Sequence, residues 1–159
     1  MNALCIALAC VVALSASPRV ALAQASGDPC ALLTPAEVSQ ALGVTVLPGH
    51  KMGSSITSVC IFAPTAKFGP GERQVVVTVV PLPFFESSHR SVGITTVAPA
   101  TVPGADAYFL STRTVTTIHV RKNGKAFEVR MNPGHDGHEN QAQIEQLETS
   151  LATKAAARV

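Results

Sequence analysis

Apolar residues fall into several patterns along this chain, and each pattern predicts a different element. Residues 4–16, LCIALACVVALSA, form an unbroken apolar run. Leu33, Val38, Ala41 and Leu42 share one face of a helix. Residues 74–80, QVVVTVV, lack polar alternation, which suits a central strand covered on both faces. Residues 115–121 and 126–131 alternate apolar with polar positions, as half-buried strands do. Ile144, Leu147, Leu151 and Ala155 make a narrow stripe on a helix running from about residue 139 to 158, with Glu139 and Glu145 early and Lys154 and Arg158 late, as its dipole favours.

Local chemistry sharpens three of these elements. Thr34-Pro35-Ala36-Glu37 is a capping box. The Thr34 hydroxyl accepts from the N–H of Glu37, the Glu37 carboxylate accepts from the N–H of Thr34, and Pro35 takes the first helical position. Leu33 and Val38 stand as a hydrophobic staple, and Gly43 is the left-handed stop. Asn123-Gly124 is the preferred dipeptide of a two-residue type I′ turn between the two alternating strands. That turn predicts a register in which Lys122 faces Lys125, Val120 faces Phe127, His119 faces Glu128, Ile118 faces Val129, Thr117 faces Arg130 and Thr116 faces Met131. One face then carries Val120, Phe127, Ile118, Val129 and Met131; the other carries Arg121, His119, Glu128, Thr117 and Arg130.

Weaker signals fill the gaps. Residues 44–47 read as a short strand ending at Pro48-Gly49, residues 50–58 as a polar connection, and residues 58–63 as the next strand. Pro81 and Pro83 end the apolar strand before them, and periodicity leaves residues 83–93 between short helix and ordered loop. The expected fold is α+β: an antiparallel sheet of four to six strands with an N-terminal and a C-terminal helix packed on it.

The first apolar run is shorter than the roughly 20 residues that span a bilayer. It is followed by the small residues Ala21, Ala23 and Ala25, and so reads as a secretory signal peptide over residues 1–23, cleaved after Ala23. Removing 23 residues from 159 leaves 136, one ordinary domain over residues 24–159. Cys5 and Cys10 leave with the leader. Cys30 and Cys60 then remain as an even pair in an oxidising compartment, most simply a disulfide. The competing reading, two thiolates on a metal, lacks partners at ligand spacing.

The motif C-x-L-L-T-x-x-E-V at residues 30–38, then Ala41-Leu42-Gly43, a second cysteine at Cys60, VPG-x-D-A-Y-F at residues 102–109 and an alanine-rich last helix together resemble a family of secreted and lipid-anchored bacterial proteins of unknown function. The likeness spans most of the processed chain. It implies this fold and an extracytoplasmic location, and it implies no chemistry. The chain departs from the pattern in lacking the lipidated cysteine that many such proteins carry, since neither Cys10 nor Cys30 follows a lipobox.

Charge narrows the partners. The 12 basic residues fall to 11 without Arg19, against 10 acidic ones, with no long single-sign block. That excludes the concentrated basic footprint of a nucleic-acid binder and of a polybasic membrane patch. With no G-x-S-x-G elbow, no glycine-rich phosphate loop, no Trp and one Tyr, no catalytic motif or cofactor is expected. Two candidate sites remain. Thr117, His119, Arg121, Glu128 and Arg130 form the polar face of the hairpin, expected to be solvated and able to meet an anion or a protein. His135, Asp136, His138 and Glu139 have metal-ligand chemistry, with His135 and His138 as ligands for zinc or copper if they converge. The leading expectation is a non-enzymatic extracytoplasmic binding or interaction domain, an inhibitor or envelope accessory protein, meeting a protein or small ligand in the cell envelope. The alternative is a small metal-dependent protein built on residues 135–139.

Overall fold

Helices pack on both faces of one antiparallel sheet. The computed structural model describes residues 27–53, 57–69, 71–90, 95–135 and 137–159; the expected signal peptide, with Cys5 and Cys10, lies outside them. The strands are β1 (His50–Gly53), β2 (Ser58–Phe62), β3 (Gln74–Val80), β4 (Thr96–Pro99), β5 (Asp106–Ser111), β6 (Thr116–Lys122) and β7 (Lys125–Asn132). The helices are α1 (Pro35–Leu42), α2 (Leu82–Ser88) and α3 (Gln141–Ala156). The sheet order is β1-β2-β3-β7-β6-β5-β4.

The inner face carries the main core. Val77 of β3, Ile118 of β6 and Phe127 and Val129 of β7 meet Leu33, Val38, Leu151 and Ala152, all buried. α1 has the expected capping box, with the Glu37 N–H donating to Thr34 Oγ1 at 3.3 Å and the Thr34 N–H donating to Glu37 Oε2 at 2.8 Å. Gly43 ends it at φ 66°, a conformation only glycine adopts without strain. Glu37 also accepts from Arg158 Nη2 at 3.0 Å, which ties α1 to the end of α3. Cys30, in a 3-10 turn ahead of α1, is joined by a disulfide to Cys60 on β2, so the helix entry is fixed to the sheet.

Several expectations are corrected. The sheet has seven strands, not four to six. β4 and β5 escape the sequence pattern because Pro99, Pro103 and Gly104 read as loop; Pro99 is tolerated because β4 is an edge strand. The chain reverses where the Ala105 N–H donates to Val102 O at 3.2 Å, with Gly104 at φ 67°. Residues 44–47 are not a strand. Their N–H groups go elsewhere, Val46 to Ser39 Oγ at 3.0 Å and Leu47 to Ala63 O at 2.9 Å. β1 instead falls within the segment expected to be a polar connection. The undecided segment after Pro81 begins with α2, whose Phe85 is buried.

The hairpin register is as the turn predicts from Lys122–Lys125 to Ile118–Val129. The ladder then stops, leaving the last two expected pairs unformed. Glu148 of α3 explains the opening. It is fully buried on the helix's apolar face, and its Oε1 accepts the Met131 N–H at 2.8 Å, the donor that a Thr116–Met131 pair would have used.

Candidate functional site

All five polar hairpin residues lie on the outer face, and cross-strand pairing arranges that face in rows. Thr78, Glu128, His119 and Tyr108 are successive partners across β3, β7, β6 and β5. The next row runs His50, Ile61, Val76, Arg130 across β1, β2, β3 and β7.

The first row is covered, contrary to the expectation of a solvated face. His119 is 2% exposed. Its ring stacks on Tyr108 at 4.8 Å and 7°. Tyr108 in turn donates to Phe85 O of α2 at 2.8 Å and packs against the Phe85 and His89 rings. Arg121 lies over the Phe85 ring and pairs with Asp106 at 2.6 Å and with Glu86 of α2. Thus α2 is pinned from beneath by an aromatic stack and at its side by a guanidinium.

Burial sets the protonation states in this row. It pushes the His119 imidazole down to about 4 and the Tyr108 phenol up to about 12. It also pushes Glu128 up to about 7, against the field of Arg130. His119 Nδ1 and Glu128 Oε1 approach to 3.2 Å but outside hydrogen-bonding geometry. Between about pH 4 and pH 7 this is a neutral imidazole beside a neutral carboxylic acid. The pair is enclosed by side chains that hold the fold.

Ile61 and Arg130 of the second row line a groove of about 660 Å³, while Val76 between them is buried. Met52, Ile61, Phe68, Val115 and Ile144 supply apolar walls; Arg113 and Arg130 supply charge. Arg130 is exposed, and neither guanidinium has an ion-pair partner among the described residues. Gln74 also lines the groove and is 5% exposed; its Nε2 donates to Gly69 O at 3.1 Å, while its buried Oε1 has no hydrogen-bond partner among the described residues. Thr117 is half-buried beside Leu110 of β5.

The second candidate cluster is divided. Glu139 is held by Arg73, which also donates to Leu42 O at 2.9 Å; against the rise that burial causes, its own backbone N–H and then Arg73 keep the Glu139 carboxyl below its ordinary range. The His135 ring lies against Gly71, and Asp136 is outside the described residues. Among the described residues no group of three or more His, Cys, Asp or Glu is placed to hold a metal ion. Nor is any described helix long and apolar enough to cross a membrane.

Sequence reasoning missed Tyr108, Phe85, Gln74 and the apolar groove wall. One signal was present: Phe85, Ser88 and His89 stand at i, i+3 and i+4, the face that α2 turns to the sheet. The groove has no local signal, because β1, β2, the segment after β2, β3, the β5–β6 loop, β6, β7 and α3 supply it from distant parts of the chain. In comparison with known proteins, no family model, no curated protein and no solved structure matches the chain.

Proposed function

We propose that this protein is a non-enzymatic extracytoplasmic binding domain that meets a protein or small ligand of the cell envelope through the open row of its outer sheet face. The observation that carries this reading is the groove itself. An apolar recess lined by two guanidiniums that have no ion-pair partner among the described residues is what a binding site looks like. The residues with the most displaced protonation on this face, His119 and Glu128, are packed beneath α2, a placement that suits a structural role better than catalysis. Export is supported by the leader-like apolar run and by the Cys30–Cys60 disulfide.

Two measurements test it. Amino-terminal sequencing of exported material is expected to find a start near Gln24; an intact Met1 on a cytoplasmic product would contradict the location. Cross-linking of the processed domain in native envelope extract is expected to yield an adduct that the groove variants Met52→Asp and Phe68→Asp abolish, both being exposed sites with little cost to folding. An adduct unchanged by either variant would remove the groove from the account.

A further inference from the structure

We propose that the groove takes a free single-chain carboxylate of medium length that lies across the strands, its head at Arg113 and Arg130 and its tail running toward Met52. The inference rests on the reading of this face as a binding site and names the ligand and its direction. Strand pairing supplies the direction. Ile61, Val76 and Arg130 are successive partners across β2, β3 and β7, and Met52 stands on the same face of β1, two residues from the His50 that pairs with Ile61. β1 and β7 are three strand steps apart, so at roughly 4.8 Å per step the apolar end lies about 14 Å from Arg130. Phe68 completes the apolar end, its ring stacked on His50 at 5.0 Å and 14°. Arg113 belongs to the loop between β5 and β6, the strands that follow β7 in the sheet, and Val115 and Ile144 give this cationic end apolar flanks for the first carbons of a chain.

Charge selects the head. The lining carries Arg113 and Arg130 and no Asp or Glu, so a cation is repelled and a carboxylate meets the paired N–H donors of a guanidinium. Neither guanidinium has an ion-pair partner among the described residues, so an incoming carboxylate displaces no acid. Glu128 and Glu148 lie in the field of Arg130, but burial shifts both toward their neutral forms and leaves that charge available. The walls select the tail. An inorganic anion would leave Met52, Ile61 and Phe68 in water, and a two-chain lipid is larger than the ligands that a recess of about 660 Å³ encloses.

Titration calorimetry at about pH 6 with hexanoate, octanoate and decanoate, below their micelle-forming concentrations, tests the proposal on the processed wild-type protein. Saturable binding with one site is expected, tighter by about tenfold for each two carbons added. Octanamide, which lacks the charge, is expected to bind about tenfold more weakly than octanoate. The two ends are then separated by substitution. Arg130→Ala and Arg113→Ala, both at exposed positions, are expected to weaken hexanoate and decanoate by the same factor, about tenfold, and to abolish the preference for octanoate over octanamide. Met52→Ser and Phe68→Ser, also at exposed positions, are expected to weaken decanoate about tenfold and to leave hexanoate unchanged. No saturable binding by the wild type, binding only when micelles or vesicles are present, affinities indifferent to both arginine variants, or a Met52→Ser loss equal for hexanoate and decanoate would each overturn the proposal. If the carboxylates fail while Met52→Asp still abolishes the envelope adduct, the groove holds a protein segment instead: the ligand is wrong and the binding-domain reading stands. If both fail, both are wrong.

Discussion

Two adjacent rows of the same sheet face have opposite fates. Tyr108 is held under α2 with His119 stacked on it and Glu128 beside it, whereas Ile61 and Arg130, in the row two residues further along the strands, line a groove. Chain geometry accounts for the difference. α2 begins two residues after β3 ends, so it lies across the sheet near Val80 and Ala126, where Phe85 packs. Seven helical residues reach about 10 Å, enough to cross two or three strands and no more. Arg130 is four residues beyond Ala126, roughly 13 Å along β7, and α2 does not extend to it. Polar residues on one face of a hairpin therefore divide into a structural set and an available one according to where the next element lands.

The inner face offers the harshest test of the contrast. Val129 is fully buried there against α3, and Val129→Asp would place an unpaired charge in the core. Loss of any cooperative unfolding transition is expected, measured by circular dichroism; a folded variant with an ordinary melt would mean that the inner face is not the main core. Next in size, replacing Cys30 and Cys60 with serine is expected to cost about 3–4 kcal/mol, read as a lowered denaturation midpoint. Groove binding should survive it, because neither cysteine borders the groove.

Protonation distinguishes the faces in a third way. Burial pushes Glu148, on the inner side, up to about 9, despite the Met131 N–H and the field of Arg130 that favour its anion; Glu145 adds to the rise. A carboxyl with a raised folded-state value contributes stability that is complete below its ordinary value of 4.5 and is lost as pH rises toward 9. On the outer side Glu128 acts in the same direction up to about 7, while His119, lowered to about 4, contributes stability that is lost as pH falls below its ordinary 6.5. Between pH 4.5 and 6.5 those two oppose each other, and Glu148 sets the slope. Stability is expected to fall by up to about 1.4 kcal/mol per pH unit, and Glu148→Gln to flatten the profile. A wild-type profile already flat from pH 5 to 8 would contradict the neutral acid.

What the sequence makes legible follows the range of the interactions involved. α1 is readable from Thr34 to Gly43 because its caps and stop are local, and the hairpin is readable because Asn123-Gly124 fixes register within a few residues. β4 and β5 are hidden by Pro99, Pro103 and Gly104, whose turn chemistry looks the same in a loop and in an edge hairpin. Glu148 sits in step with Ile144 and Leu151 and reads as a polar interruption, although it is the residue that closes the end of the β6–β7 ladder. For the site, alternation assigns all five polar side chains to the correct face, but nothing local tells His119 from Arg130. That distinction depends on Phe85 and Tyr108, which are distant in sequence from the hairpin strand they cover.

The central claim is this division of the outer face, and parallel thermal melts of His119→Ala and Arg130→Ala test it most directly. Removing the His119 ring leaves a void against Tyr108, so that variant is expected to lose about 2 kcal/mol, several degrees in melting temperature for a domain of this size. Arg130→Ala is expected to stay within about 0.5 kcal/mol of wild type while losing affinity in the groove. A His119→Ala melt indistinguishable from wild type, or an Arg130→Ala melt as depressed as that expected for His119→Ala, would contradict the account.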